Sequence, residues 1–181
     1  MKRIFAAFRI PDELINQFIE ISEVNYEISG IRWTKDYNFH ITLFFIGEVE
    51  EENIEKIIRK LENISSHVKP FDLNFEKVEI KSKNKKPSLI WARFEKCIEF
   101  SDLSNAIYNE VSEFMTISIT HKDPVPHCTL ARIKSGTEIE MLDLENNISA
   151  QLNVDRIELW MTVQTEAGVR YDSLAGFDLV D

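Results

Sequence analysis

Two cysteines, Cys97 and Cys128, are too few for a disulfide framework and lack a paired metal-ligand spacing, so both read as reduced thiols. No window approaches the roughly eighteen uninterrupted apolar residues of a membrane span. The opening MKRIFAAFRIPDEL turns polar too soon for a signal peptide, which makes the cytoplasm the expected compartment. Positive charge is in deficit: 21 basic residues face 31 acidic ones, for a net charge of −10. That balance disfavours tight, sequence-independent binding along a long phosphate backbone. A short or terminal nucleic-acid substrate stays open, because it needs only a local positive site. Histidine is scarce too, with four in 181 residues.

What is present suffices for a buried core: 44% of residues are hydrophobic, enough for one compact domain or two small lobes sharing an interior. The run RIFAAFRI reads as a strand closed by Pro11. In DELINQFIEISEV, Leu14, Ile15, Phe18 and Ile19 share one helical stripe behind acidic Asp12 and Glu13. FHITLFFIG predicts a strand, EEENIEKIIRKLENI a helix with Ile54, Ile57, Ile58 and Leu61 at helical spacing, and FDLNFEKVEIK another strand. The second half replays the order: SLIWARFE as a strand, SDLSNAIYNEVSEF as a helix, HCTLARI as a strand and TEIEMLDLENNI as a weaker helix. VDRIELWMTVQ and YDSLAGFDLV then close it as strands.

FAAF begins at Phe5 and WARF at Trp91, an offset of 91 − 5 = 86, while His40 and His127 differ by 127 − 40 = 87. The near-equal offsets argue for an internal duplication. The expectation is a single domain over 1–181 with pseudo-twofold lobes, roughly 1–86 and 87–181, packed so that equivalent strands face each other across a cleft.

Both histidines stand in His-x-Thr strands, FHITL and PHCTL. Residues i and i+2 of a strand share a face about 6–7 Å apart, so His40 points with Thr42 and His127 with Thr129. Ile41 and Cys128 point the other way, which makes Cys128 a packing residue. A neutral imidazole beside a protonated one supplies a base and an acid together, and threonine hydroxyls can hold the nonbridging oxygens of a phosphate. The combination suits phosphodiester cleavage and calls for no cofactor. No carboxylate or thiol faces the same way in either motif, which counts against a histidine metal site. His67 and His121, in SSHVKP and THKDP, read as surface residues.

IRWTKDYNFHITLFFIGEV and VPHCTLAR, with RIFAAFRIPDEL at one end and YDSLAGFDL at the other, resemble the 2H phosphoesterase superfamily. Within it, they are similar to the RNA 2′,3′-cyclic phosphodiesterases historically called 2′-5′ RNA ligases. The resemblance implies a bilobal α+β fold, with two antiparallel sheets flanking a central groove and helices outside. It also implies metal-independent opening of a terminal 2′,3′-cyclic phosphate to a 2′-phosphomonoester, and some members join RNA ends through a 2′-5′ linkage. Carried over by position, His40 is the proton donor, His127 the proton acceptor, and Thr42, Thr129 and Arg132 the phosphate ligands. By symmetry, either histidine can take either part. Strict alternation places Arg132 opposite His127, so its role requires a bulge; otherwise it is a surface salt bridge. The implied partners are RNA ends with cyclic phosphates or small cyclic nucleotides, met by a monomer without metal or membrane. A groove that grips RNA ends without cleaving them is the alternative. Phe5 and Trp91 line the groove or belong to the core, with core favoured for Phe5. KSKNKKP either guides RNA or forms a solvated hairpin tip.

Overall fold

Period-2 and period-3.6 patterns become strands and helices close to where they are expected. The computed structural model describes residues 1–115 and 124–180; His121 lies outside the described residues. In chain order the elements are β1 (Lys2–Arg9), α1 (Asp12–Val24), β2 (Ile31–Trp33), β3 (His40–Val49), α2 (Ile54–Ser65) and β4 (Phe71–Lys83). There follow β5 (Lys86–Phe94), α3 (Ile98–Val111), β6 (His127–Ile133), β7 (Gln151–Val154), β8 (Arg156–Thr165) and β9 (Gly168–Asp178). Each helix buries one stripe: Leu14, Phe18 and Ile21 of α1; Ile57, Leu61 and Ile64 of α2; Phe100, Leu103, Ile107 and Val111 of α3.

The helix expected at TEIEMLDLENNI does not form; residues 138–150 are irregular apart from a turn. Side chains there satisfy the backbone in its place. Asp143 accepts from the Glu145 N–H at 3.0 Å and Asn146 from the Ile148 N–H at 3.3 Å. The buried Asn25 clamps the Asp143 peptide from both sides, at 2.6 and 2.8 Å. Such short polar side chains offer the chain an alternative to helical hydrogen bonds. Ile139, Leu142, Leu144 and Ile148 still pack against the core from this loop.

The strands follow one antiparallel path, β7-β4-β5-β6-β3-β1-β8-β9, with β2 added beside β6. The nine-stranded sheet is pinched at its middle, where β3 and β6 share a single registered pair, Ile41 with Cys128, into two four-stranded half-sheets. One sheet is β3-β1-β8-β9 and the other β7-β4-β5-β6, and each holds strands from both halves of the sequence. The exchange is reciprocal, since β4 of the first half pairs with β5, and β8 of the second pairs with β1.

Pairing within the two sheets repeats, with one adjustment to the expected offset. Ala7 pairs with Thr42 and Trp91 with Thr129, so the ladder counterpart of Trp91 is Ala7, an offset of 91 − 7 = 84. Both ladders then skip one residue at the same place, Leu43 in β3 and Leu130 in β6, immediately after the motif threonine. A shared bulge at equivalent positions is a stronger mark of duplication than the tetrapeptide likeness. β1 is buried on both faces. Ile4, Ala6 and Phe8 enter the main core, while Phe5 and Ala7 join a smaller cluster with Trp160, Phe45 and Tyr171.

Candidate active site

Around the Ile41–Cys128 pair, the antiparallel register puts His40 across from Thr129 and Thr42 across from His127, all four on the face opposite the buried Ile41 and Cys128. Facing neighbours in such a ladder stand about 5 Å apart at Cβ and diagonal ones about 7–8 Å. The two histidines occupy the diagonal, near enough for the charge of His127 to bear on His40. Their mountings match as well. His40 Nδ1 lies 2.7 Å from the Asn38 carbonyl and His127 Nδ1 2.7 Å from the Val125 carbonyl, each two residues earlier. A carbonyl only accepts, so both Nδ1 atoms carry the proton and each Nε2 keeps its lone pair as an acceptor. His40 Nε2 meets the Thr42 hydroxyl at 3.1 Å.

The surroundings of the two rings differ. Phe5, Trp160 and Tyr171 crowd His40 with centroids at 5.1, 5.2 and 5.0 Å. Burial, opposed by the carbonyl hydrogen bond and helped by the charge of His127, lowers its pKa to about 4. His127 stacks on Trp91 at 3.8 Å and 21°. Its pKa is also lowered, first by burial and then by the charge of Lys81, with the Val125 carbonyl opposing. Lys81 Nζ lies 5.1 Å over the Trp91 ring, so this member of the KSKNKKP run reaches the site. Asn84 and Lys85, with φ of 52° and 61°, form the turn of the β4–β5 hairpin.

Cys128 is fully buried, and burial pushes its thiol up to about 12, which leaves it inert as a nucleophile at neutral pH. His67 is exposed and turns to the Asn63 carbonyl of its own helix end. The bulge at Leu130 breaks the alternation of β6: Leu130 and Ala131 are both buried, and Arg132 returns to the His127 face, exposed. Phe5 is buried, as expected, but in the cluster beneath His40 and not in the main core. Among the described residues, no three His, Cys, Asp or Glu side chains converge as a metal site.

Sequence reasoning missed the supports on the His40 side. Asn38 donates to the Val169 carbonyl at 2.8 Å and accepts from the Tyr171 N–H at 3.2 Å, so it fastens β9 beside β3. The Glu158 carboxylate takes Arg9 in a fork at 2.8 and 3.2 Å and the Trp160 indole N–H at 2.8 Å. Burial raises the Glu158 pKa, but hydrogen bonds from Arg9, Ser173 and Trp160 outweigh it and hold the group below the usual carboxylate range. The one available signal was Glu158 itself, a lone acid in the apolar run IELW.

The family model of LigT-like phosphoesterases matches residues 9–91, the segment that carries the first motif. Over that segment, less than half of the chain, the protein is similar to the LigT-like phosphoesterases. Curated relatives extend the likeness through the second motif. An RNA 2′,3′-cyclic phosphodiesterase of Archaeoglobus fulgidus is 26% identical over 97% of this chain and 99% of its own length. Proteins of the same name from Aquifex aeolicus and Thermotoga maritima are 27% and 29% identical, over 98% and 95% of this chain and 97% and 92% of theirs. Among solved structures, a Thermus thermophilus protein aligns with TM-score 0.85 at 22% identity, covering 98% of this chain and 97% of that one. E. coli LigT complexed with 3′-AMP aligns at 0.83 and 19%, covering 99% of each. These likenesses show that the chain has the expected α+β fold.

Proposed function

We propose that the chain opens terminal 2′,3′-cyclic phosphates of RNA to 2′-phosphomonoesters, without a metal, as a cytoplasmic monomer. The observation that carries this reading is the diagonal pair of histidines on the β3–β6 seam, each with Nδ1 tied to a carbonyl, which leaves an Nε2 lone pair to accept a proton. The names of the curated relatives support the substrate. His127 Nε2 takes a proton from water as the water oxygen attacks phosphorus. The bond from phosphorus to the ribose 3′ oxygen breaks, and protonated His40 delivers its proton to that oxygen. Thr42, Thr129 and Arg132 hydrogen-bond the nonbridging oxygens as their charge grows. His40 is neutral in the empty site, and the anionic substrate brings its proton affinity back up, as an opposite charge does for any imidazole. With a 5′-hydroxyl in place of water, the same displacement yields a 2′-5′ linkage.

The test is turnover of adenosine 2′,3′-cyclic phosphate in a chelator, with the broken ester bond identified. His40→Ala and His127→Ala should each lose about 10²–10⁴-fold in kcat, with melting unaltered in kind. Unchanged turnover in either variant excludes the two-histidine mechanism. Tight binding of cyclic-phosphate ends without product in the wild type leaves an RNA-end binding module instead.

A further inference from the structure

Arg32 and Arg132 are registered partners in the β2–β6 ladder, so their side chains leave the same face directly opposite each other. Like charges so placed destabilise a sheet. Among the described residues, no carboxylate forms an ion pair with either arginine or with the neighbouring Lys134. In a chain of net charge −10, three neighbouring cations with no counter-ion among the described residues invite an anionic ligand. They line a groove of about 390 Å³ with Gly30, Ile31 and Ile133.

The groove continues the histidine seam. Where β3 has peeled away from β6, β2 takes its place, latched by Thr34, whose N–H reaches the Leu130 carbonyl and whose hydroxyl reaches the Thr129 carbonyl, both at 2.8 Å. The Leu130 bulge returns Arg132 to the face of Thr129, one two-residue step of about 6–7 Å along the strand. That step is comparable to the distance between successive phosphates of an RNA strand.

We propose that Arg32, with Arg132 beside it, binds a second phosphate, the one on the 5′ side of the terminal nucleoside whose cyclic phosphate lies between the histidines. This rests on the function proposed above and adds to it a preference for chain ends over mononucleotides. Arg132, with five donors, is shared between the two phosphates, and Arg32 serves the second.

Calorimetric binding reads this without turnover, using 3′-AMP, adenosine 3′,5′-bisphosphate, the dinucleotide ApA 3′-phosphate and its methylphosphonate-linked form. The wild type should bind the two probes with a charged 5′-phosphate about tenfold more tightly than 3′-AMP, the gain from one charge-assisted contact. The neutral linkage should lose that gain. A gain with the bisphosphate assigns the site to the phosphate alone, and a gain confined to the dinucleotide assigns it to a strand; either supports the proposal. In Arg32→Gln the ratio should fall toward one, in Arg32→Lys only partway, and the salt slope for the dinucleotide should become shallower by about 0.7. Equal wild-type affinity for all four probes overturns the proposal, as does an undiminished ratio in Arg32→Gln. Absence of product from adenosine 2′,3′-cyclic phosphate counts against the hydrolase reading instead, and the binding ratio still decides the role of Arg32.

Discussion

His40 spends much of its environment on remaining neutral. Three aromatic rings and the positive potential of His127 disfavour its charged form, and the carbonyl of Asn38 does not compensate. Its folded pKa of about 4 lies below the unfolded value of 6.5, so the unfolded chain binds the extra proton first as pH falls. Stability attributable to this residue is therefore complete above 6.5 and declines toward 4, by about 2 kcal/mol at about pH 5. Urea unfolding at the two pH values should show that loss in the wild type and a smaller one in His40→Gln; equal losses count against it. NMR of the ring should place the midpoint near 4 in the empty site and move it upward when 3′-AMP is added. The motif residues were legible because alternation is local: His40, Thr42, His127 and Thr129 share a face by spacing alone. The desolvating rings were not, because Trp160 and Tyr171 reach His40 from more than a hundred residues away.

Among the elements, the bulges after Thr42 and Thr129 serve two ends. They keep Leu43 and Leu130 in the core, and in β6 they release Arg132 to the groove. Spacing supplied the condition for Arg132, a break in alternation, but not its presence, since nothing in HCTLARI marks which residue is skipped. The helix expected over TEIEMLDLENNI failed for a related reason: its apolar spacing was real, yet Asn25, far off in the chain, holds the Asp143 peptide in a conformation of its own. On the other sheet, Asn38 ties the entry of β3 to β9 and so sets Tyr171 against His40. Asn38→Ala leaves the Tyr171 N–H and the Val169 carbonyl without this partner, at a cost of about 1–3 kcal/mol. The loss should exceed that of an exposed substitution such as Asn63→Ala in denaturant titrations. It should also reduce kcat on a cyclic phosphate more than it changes KM, because Asn38 acts on the ring and touches no substrate.

At the scale of the molecule, reciprocal strand exchange binds the two sequence halves into one unit. The first half, left alone, would keep β1 without β8 and β4 without β5; the second would have the mirror-image losses. Exposed edges of that kind leave hydrogen-bonding groups unpaired and apolar faces uncovered. The main core crosses the seam as well, with Ile41 and Cys128 in one continuous cluster with the buried stripes of all three helices. No helix among the described residues is long and apolar enough to cross a membrane. A fold joined in this way should unfold in one step despite its two sheets. Calorimetry should give a single transition whose van't Hoff enthalpy equals the calorimetric one. A core truncation in one sheet, Leu159→Ala, should lower that transition by the same amount whether it is followed by Trp91 or by Trp160 fluorescence. Two separated transitions, or a shift seen by only one indole, would mean that the sheets melt independently and that the histidines keep their spacing only by chance of packing. The seam at Ile41 and Cys128 argues otherwise, since the diagonal on which the proposed chemistry depends exists only while both sheets are folded together.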